Sequence, residues 1–127
     1  GVHLPNTCTF PVLTLTHIHL LTTEGEVTLS EGAPLTMNCS YETTQYPSLY
    51  WYVQYPGEGL QLLFRVTRDG EKGSHKGFEA TYSRKSTSFH LEKASVHESD
   101  TAVYYCVLSD TVAETTGGAS RVTVRTQ

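Results

Sequence analysis

Short alternations of apolar and polar residues, separated by turn residues, run along most of the chain. Residues 26–30 (EVTLS) alternate, and residues 35–41 (LTMNCSY) place Leu35, Met37 and Cys39 on one side. A period of two is typical of a strand with one buried face, and no long helical period is found. The pattern therefore predicts an all-β protein.

Further strands follow, and turns that contain glycine or proline separate them. If Trp51 faces the interior from a strand at residues 49–55, alternation turns Tyr50, Tyr52 and Gln54 outward. The other predicted elements are strands at residues 60–66, 77–82, 88–91, 101–108 and 120–125 and a polar crossover at residues 95–100.

Two cysteines, a tryptophan and a tyrosine stand at informative spacings. Trp51 follows Cys39 by 12 positions, Cys106 follows Cys39 by 67, and Tyr104 lies two positions before Cys106. This is the pattern of an immunoglobulin sandwich, in which a disulfide joins the sheets, the tryptophan packs on it and the tyrosine bonds to upstream backbone. Closing such a loop contributes roughly 4 kcal/mol. We therefore predict a variable-type two-sheet sandwich with Greek-key topology and a Cys39–Cys106 disulfide.

Composition narrows the classes of function. The 127 residues allow one domain of this kind, and the net charge of −4 argues against nucleic-acid binding, which favours a basic surface. We predict no metal and no cofactor, because Cys8 and the nearby histidines fit no standard zinc spacing. We predict no catalytic residues, because no nucleophile-elbow or phosphate-loop sequence is present.

Four longer motifs extend the pattern: LYWYVQYPGEGLQLL at residues 49–63, KGFEATY at 76–82, TSFHL at 87–91 and ESDTAVYYC at 98–106. They resemble a T-cell receptor α-chain variable domain of the α/δ type. The resemblance implies an ectodomain of a single-pass membrane protein at the extracellular face of the plasma membrane. It also implies pairing with a β chain, recognition of peptide presented by an MHC molecule, and association with the CD3 complex through the full-length chain.

One face of the predicted sheet is rich in aromatic and aliphatic residues. A monomer rarely leaves so much apolar area exposed, so we expect a second domain to pack face to face on it. The resemblance assigns the β-chain variable domain to this face and implies that Gln54 bonds a glutamine of that chain. The predicted partner-domain interface is Tyr50, Tyr52, Gln54, Pro56, Leu60, Leu62 and Tyr105.

The resemblance also places three antigen-binding loops and a fourth hypervariable turn at residues 84–86. We expect Tyr46, Arg68 and the third loop to make the main contacts, because tyrosine and arginine supply contact area and directed hydrogen bonds. The third loop is small and acidic, with Asp110 and Glu114. The predicted loop residues are Thr43, Thr44, Gln45, Tyr46, Pro47 and Ser48 in the first loop, Thr67, Arg68, Asp69, Gly70 and Glu71 in the second, and Ser109, Asp110, Thr111, Val112, Ala113, Glu114 and Thr115 in the third.

The last predicted strand departs from the family pattern. The family carries a Phe-Gly-x-Gly joining motif, whose glycines let the strand bulge and whose ring fills the domain interface. Here Thr116 and Ala119 stand at the phenylalanine and second-glycine positions. This departure supports an alternative: an unconventional or invariant immunoglobulin-type receptor or adhesion module that forms a homodimer or assembles through Cys8. A third hypothesis, an enzyme on this scaffold, requires a pocket with strongly perturbed titratable groups.

Residues 1–19 form an N-terminal extension to the predicted domain at residues 20–127. The extension contains Cys8, three histidines and an apolar stretch. It is interpreted as a leader or expression remnant, or else as an extra edge strand or a tether bonded through Cys8.

Two other polar features of the sequence are assigned neither to domain pairing nor to antigen binding. The triplet Asn38-Cys39-Ser40 fits the rule for N-glycosylation, although its middle residue is a disulfide cysteine. Asp100 is interpreted as a structural carboxylate, with Lys76 and Arg84 as its candidate partners.

Overall fold

The structure, a computed structural model, describes residues 18–23, 25–43, 47–109 and 115–126. Over these ranges the chain forms eleven strands and one short 3-10 helix, Glu98–Asp100, within the predicted crossover. The strands are β1 (Ile18–Thr23), β2 (Glu26–Ser30), β3 (Leu35–Met37), β4 (Cys39–Thr43), β5 (Ser48–Gln54), β6 (Leu60–Val66), β7 (Lys72–His75), β8 (Phe78–Thr81), β9 (Leu91–Lys93), β10 (Ala102–Ser109) and β11 (Thr115–Arg125).

The strands form two main sheets. The order in the five-stranded sheet is β2-β11-β10-β5-β6, in which β2 and β11 are parallel and the other pairs are antiparallel. The four-stranded sheet has the order β3-β9-β8-β7, and β1 pairs with β4 beside it. The predicted all-β variable-type sandwich is confirmed. Because β1 begins at Ile18, this residue of the N-terminal extension pairs with Thr43, and His19 lies at the register shift that follows.

The core contains the predicted disulfide. Cys39 of β4 and Cys106 of β10 are bonded, and both are fully buried. Trp51, also buried, is the cross-strand neighbour of Cys106 on β5. Burial alternates strictly along β5 and β10, so the period of two in the sequence gives the orientation of these strands correctly.

Hydrogen bonds from side chains interrupt the backbone ladder next to the disulfide. The Trp51 indole N–H donates to the Phe89 carbonyl at 2.9 Å, and the Cys39 N–H donates to His90 Nδ1 at 2.9 Å. Before Leu91, backbone pairing is limited to isolated contacts, such as the bond from the Phe89 N–H to the Cys39 carbonyl at 2.9 Å, and the regular strand begins at Leu91. The predicted start of this strand at Ser88 is therefore wrong, and the strand predicted at residues 35–41 is divided into β3 and β4.

Strand β7 was not predicted from the sequence. It joins β8 through a two-residue turn, Lys76-Gly77, in which both φ angles are positive, at 54° and 84°. Such turns match the twist of the paired strands and favour glycine. Gly73 within β7 lies so close to β6 that an added Cβ would be 2.6 Å from Phe64 Cδ1. The strand thus depends on two glycines rather than on an apolar alternation.

Asp100 is a structural carboxylate, as predicted, but its partner is neither Lys76 nor Arg84. Its Oδ2 atom lies 2.8 Å from Lys93 Nζ. Lys93 reaches it from β9 across the ring of Phe78, with Nζ 4.7 Å from the ring centroid. The prediction failed because the choice of lysine depends on how β9 pairs with β8.

The Tyr104 hydroxyl makes the predicted bond to upstream backbone. It donates to the Asp100 carbonyl at 2.6 Å, while the Asp100 carboxylate also accepts the His97 N–H at 2.9 Å. Burial, reinforced by the nearby Asp100 charge, raises the pKa of Tyr104 well above its ordinary value. The hydroxyl therefore stays protonated and fixes the turn that leads into β10.

Candidate functional site

The outer face of the five-stranded sheet carries the exposed apolar surface of the described residues. Leu60 and Leu62 on β6 are 54% and 49% exposed. Leu62 is opposite Tyr52, which in turn is opposite Tyr105, so these three residues form one row across the sheet. Gln54 lies opposite Leu60 in the adjacent row. The structure thus brings the predicted interface residues of the strands onto one surface, and Pro56 lies exposed in the turn that follows β5.

A β-bulge in β6 is what turns both leucines outward. The register changes between the Trp51–Phe64 pair and the Tyr52–Leu62 pair, so that Leu63 is an additional residue. Leu63 and Phe64 are consecutive and both are buried. A bulge re-aims side chains in this way. Simple alternation from the buried end of β6 would instead have turned Leu62 inward.

Gln54 is held in place by two hydrogen bonds within the chain. Its Oε1 atom accepts a hydrogen bond from the Tyr105 hydroxyl at 3.3 Å, and its Nε2 atom donates to the Glu58 carbonyl at 3.1 Å. An amide side chain has two acceptor positions and two donor hydrogens. Each end of Gln54 therefore keeps the capacity for one more bond, which suits the pairing with another amide that the family resemblance implies.

Two residues of this face were missing from the predicted interface. Arg65 and Val107 both lie opposite Tyr50, one on each neighbouring strand. The Arg65 guanidinium carbon is 5.9 Å from the Tyr50 ring centroid, and Tyr50 stacks on Tyr52 at the same distance between rings. Alternation from Tyr105 would have identified Val107. Arg65 could be placed only once the bulge was known.

Strand β11 pairs with β10 without any irregularity. The register runs unbroken from Ala102–Val122 to Ser109–Thr115, so the altered joining motif forms a regular strand without a bulge. Gly117 and Ala119 are the neighbours of Val107 and Tyr105, which belong to the outer face. At these two positions β11 therefore places only small residues beside Val107 and Tyr105.

The first predicted antigen loop connects β4 and β5. Thr43 and Ser48 are the strand residues at its ends, whereas residues 44–46, including the predicted contact residue Tyr46, lie outside the described part of the chain. Pro47 is buried, and its carbonyl accepts a 2.9 Å hydrogen bond from the Tyr82 hydroxyl. The first loop is thus anchored to the end of β8.

The second predicted loop is closed by its own side chains. The Glu71 carboxylate accepts the N–H groups of Thr67 and Arg68 at 3.3 and 3.2 Å. Gly70 has a φ of 86°, and its N–H donates to the Tyr82 carbonyl at 2.8 Å. Tyr82 therefore contacts both the first and the second loop. Sequence reasoning did not identify this residue as part of the site.

The fourth hypervariable turn is bonded to the second loop. Asp69 Oδ1 accepts the Arg84 N–H at 2.9 Å, which joins two segments fifteen positions apart. In the third loop, Ser109 and Thr115 form the last rung of the β10–β11 ladder, and residues 110–114 lie outside the described ranges. The loops thus emerge at one end of the sandwich.

The opposite end of the sandwich holds a cavity. It is an open groove of about 760 Å³, and its lining includes Tyr55, Lys76 and the Lys93–Asp100 pair. Burial, and to a lesser extent Asp100, raises the pKa of Tyr55, which keeps its hydroxyl protonated. Within the described ranges no cluster of three or more potential metal ligands occurs, and no helix is long and apolar enough to cross a membrane. Cys8, His3 and His17 lie outside those ranges.

Comparison with known proteins agrees with this geometry. The immunoglobulin V-set domain family matches residues 22–125. The human T cell receptor alpha variable 9-2 is 69% identical over 86 residues, which cover 68% of this chain and 77% of that protein. The mouse T-cell receptor alpha chain V region CTL-F3 is 46% identical over 127 residues, covering 95% of this chain and 96% of that protein. The chain belongs to the T-cell receptor α-chain variable domains.

Membership in the T-cell receptor α-chain variable domains confirms the predicted family and identifies the chain as an antigen-receptor variable domain. This is a receptor family of adaptive immunity and not a family of enzymes, so the enzyme hypothesis is set aside. The human T cell receptor alpha variable 9-1 agrees, at 66% identity over 87 residues, 68% of this chain and 78% of that protein. The CTL-F3 alignment covers more of the chain than residues 20–127 supply, so part of the N-terminal extension aligns as well.

Proposed function

We propose that this α-type domain pairs with a β-chain variable domain through the outer face of its five-stranded sheet. The two domains together would recognise a peptide presented by an MHC molecule. The observation that carries the proposal is the exposure of Leu60 and Leu62 beside Tyr52 and Tyr105 on one sheet face. In the full-length receptor, the domain would lie at the extracellular face of the plasma membrane, in a single-pass chain associated with the CD3 complex.

The apolar part of this face suits a paired domain. Fully burying a leucine side chain contributes roughly 1.5–3 kcal/mol, and about half of that remains available at Leu60 and Leu62. Tyr52 and Tyr105 add aromatic area, and tyrosine is enriched among residues that dominate binding energy. Gln54, with one donor and one acceptor still available, supplies a directed polar contact at the edge of this cluster.

The loop end suits recognition of a composite surface. Arg68, Arg84 and Lys85 are basic residues on the second loop and the fourth turn, in a chain whose net charge is −4. The bond between Asp69 and the Arg84 N–H holds these two segments side by side. We infer that they contact acidic positions of the presenting molecule, while the third loop, with Asp110 and Glu114, contributes shape and charge.

Sedimentation velocity under non-reducing conditions tests the pairing. The chain is measured alone and mixed with a β-type variable domain, and a one-to-one complex without a covalent link is expected. Leu62→Glu should weaken this complex at least about 30-fold, because a charge would be buried where an apolar anchor is lost. Thr36→Glu, on the exposed side of the four-stranded sheet, is the matched control and should leave pairing unchanged.

A different outcome of the sedimentation experiment would contradict the proposed pairing. A covalent or self-paired species that forms equally well without the β-type domain, and that Leu62→Glu does not weaken, would contradict the proposal. It would favour the homodimeric or Cys8-linked module instead. A β complex that survives Leu62→Glu would mean that pairing uses another surface.

A further inference from the structure

The asparagine of the only Asn-x-Ser/Thr triplet in the chain is exposed. Burial alternates from Leu35 to Tyr41, and Thr36, Asn38 and Ser40 all belong to the exposed set. Asn38 lies between β3 and β4, where the ladder is interrupted, rather than inside a strand. The two polar residues of the triplet are therefore on the surface, and only its middle residue, Cys39, is buried.

We propose that Asn38 is a site of N-linked glycosylation. The donor would be an oligosaccharide carried on a lipid diphosphate, the usual kind of glycosyl donor for asparagine. The Asn38 amide nitrogen forms a bond to the anomeric carbon of the first sugar, and the bond from that carbon to the diphosphate oxygen breaks. The lipid diphosphate leaves, and the amide loses one proton to the transferase. Ser40 supplies the hydroxyl that the acceptor rule requires.

The buried cysteine does not prevent this reaction, because the disulfide forms later than the triplet emerges. The partner of Cys39 is Cys106, which lies 67 positions further along the chain. At a synthesis rate of about 5–20 residues per second, Cys106 follows after roughly 3–13 seconds. During that interval the triplet is extended, reduced and accessible. Folding then buries Cys39 and leaves Asn38 at the surface.

The surroundings of Asn38 can accommodate a bulky hydrophilic group. Glu79 and Glu92, exposed on this side of the four-stranded sheet, are cross-strand neighbours. A shallow depression of about 150 Å³ lies beside the triplet, since one of its lining residues, His90, accepts the Cys39 N–H. The other lining residues are all polar: Thr81, Ser83, Ser88 and Glu92.

A glycan at this position would leave the proposed functional surfaces free. The pairing face belongs to the five-stranded sheet, on the other side of the sandwich, and the loops emerge at its end. The inference depends on entry of the chain into the secretory pathway. It does not depend on which domain pairs with it or which ligand it binds, so the two proposals can fail separately.

Secretion of residues 1–127 from a human cell line tests the proposal. The secreted chain is treated with peptide-N-glycosidase in ¹⁸O-labelled water, which converts a glycosylated asparagine to labelled aspartate. The expected result is a loss of mass on treatment and a label at position 38 in chymotryptic peptides, which separate Asn38 from Asn6 because apolar and aromatic cleavage sites lie between them. Asn6, the one other asparagine, precedes Thr7-Cys8, does not fit the Ser/Thr rule and should remain unlabelled.

Four variants separate glycosylation from folding. Asn38→Gln and Ser40→Ala should each abolish the mass shift, whereas Ser40→Thr, which keeps the hydroxyl, should preserve it. In cell lysates, Cys106→Ala should leave the occupied fraction unchanged if glycosylation precedes disulfide formation. A rise in occupancy would show that the disulfide competes and would overturn the timing argument. A secreted, unsubstituted chain with no mass shift and no label at position 38 would overturn the proposal itself.

Discussion

Two aspartates hold turns at opposite ends of the sandwich, and they differ mainly in burial. Asp100 is 5% exposed and accepts both the Lys93 ammonium and the His97 N–H. Asp69 is exposed and accepts the Arg84 N–H. A carboxylate buried with its partner is costly to leave unpaired, whereas water can replace a lost bond at an exposed one. The end with Asp100 is thus locked, and the loop end is positioned but remains adjustable.

The largest expected effect is at the locked end. Asp100→Ala would leave the Lys93 ammonium without its counter-charge and the His97 N–H without its acceptor. We expect the free energy of unfolding to fall by about 3–5 kcal/mol. Urea unfolding followed by tryptophan fluorescence would measure this loss. An exposed carboxylate, Glu92→Ala, is the control and should change stability by less than about 0.5 kcal/mol.

Alkaline pH should destabilise both ends. Burial is the main cause that raises the pKa of both Tyr104 and Tyr41. Asp100 adds to the increase at Tyr104, and Tyr82 adds to the increase at Tyr41. Since the folded-state pKa values lie above the unfolded value near 10, the unfolded chain loses these protons first. Stability should be complete below about pH 10 and then fall by about 1.4 kcal/mol per pH unit for each tyrosine. Urea titrations between pH 8 and 11.5 test this, and a flat profile above pH 10 would contradict it.

The two tyrosine hydroxyls should also differ at neutral pH. Tyr104 donates to the Asp100 carbonyl at 2.6 Å, whereas Tyr41 reaches the Ser83 carbonyl only at 3.4 Å. Tyr104→Phe should lower the free energy of unfolding by about 1–2 kcal/mol, because a buried carbonyl loses its donor. Tyr41→Phe should cost less than about 0.5 kcal/mol. Equal losses from the two substitutions would show that the two ends are fixed to the same degree.

The smallest expected effect is at Asp69. Asp69→Ala should change the free energy of unfolding by less than about 1 kcal/mol, since the Arg84 N–H that it frees is close to solvent. Amide hydrogen exchange at Arg84 should nevertheless become several-fold faster, because the second loop no longer holds the fourth turn. An unchanged exchange rate at Arg84 would mean that the turn keeps its conformation without the carboxylate.

Spacing along the sequence was sufficient to predict the residues that form the frame of the fold. The Cys39–Cys106 disulfide and the inward Trp51 follow from one spacing pattern, although the disulfide joins two different sheets. The bond made by Tyr104 reaches a carbonyl only four positions upstream. The outward position of Tyr52 follows from the same period of two.

The contacts and site residues that the sequence did not predict depend on pairing between segments that are distant in the sequence. Leu63 is the additional residue of a bulge only in relation to β5, and Lys93 reaches Asp100 only because β9 pairs with β8. Lys76-Gly77 is a signal for a tight turn, but without an apolar alternation in β7 it did not predict a strand. Tyr82 was not identified because its contacts, Pro47 and Gly70, belong to two different loops.

The bonds around the disulfide also fix how the strands align. A slip of β9 by one residue would move the Phe89 carbonyl away from the Trp51 indole and the His90 ring away from the Cys39 N–H. It would also exchange the two faces of the strand, because side chains alternate with a period of two. The register of these strands is therefore fixed by contacts at the centre of the molecule. Loop residues at the end of the sandwich can be exchanged without shifting the strands that carry them.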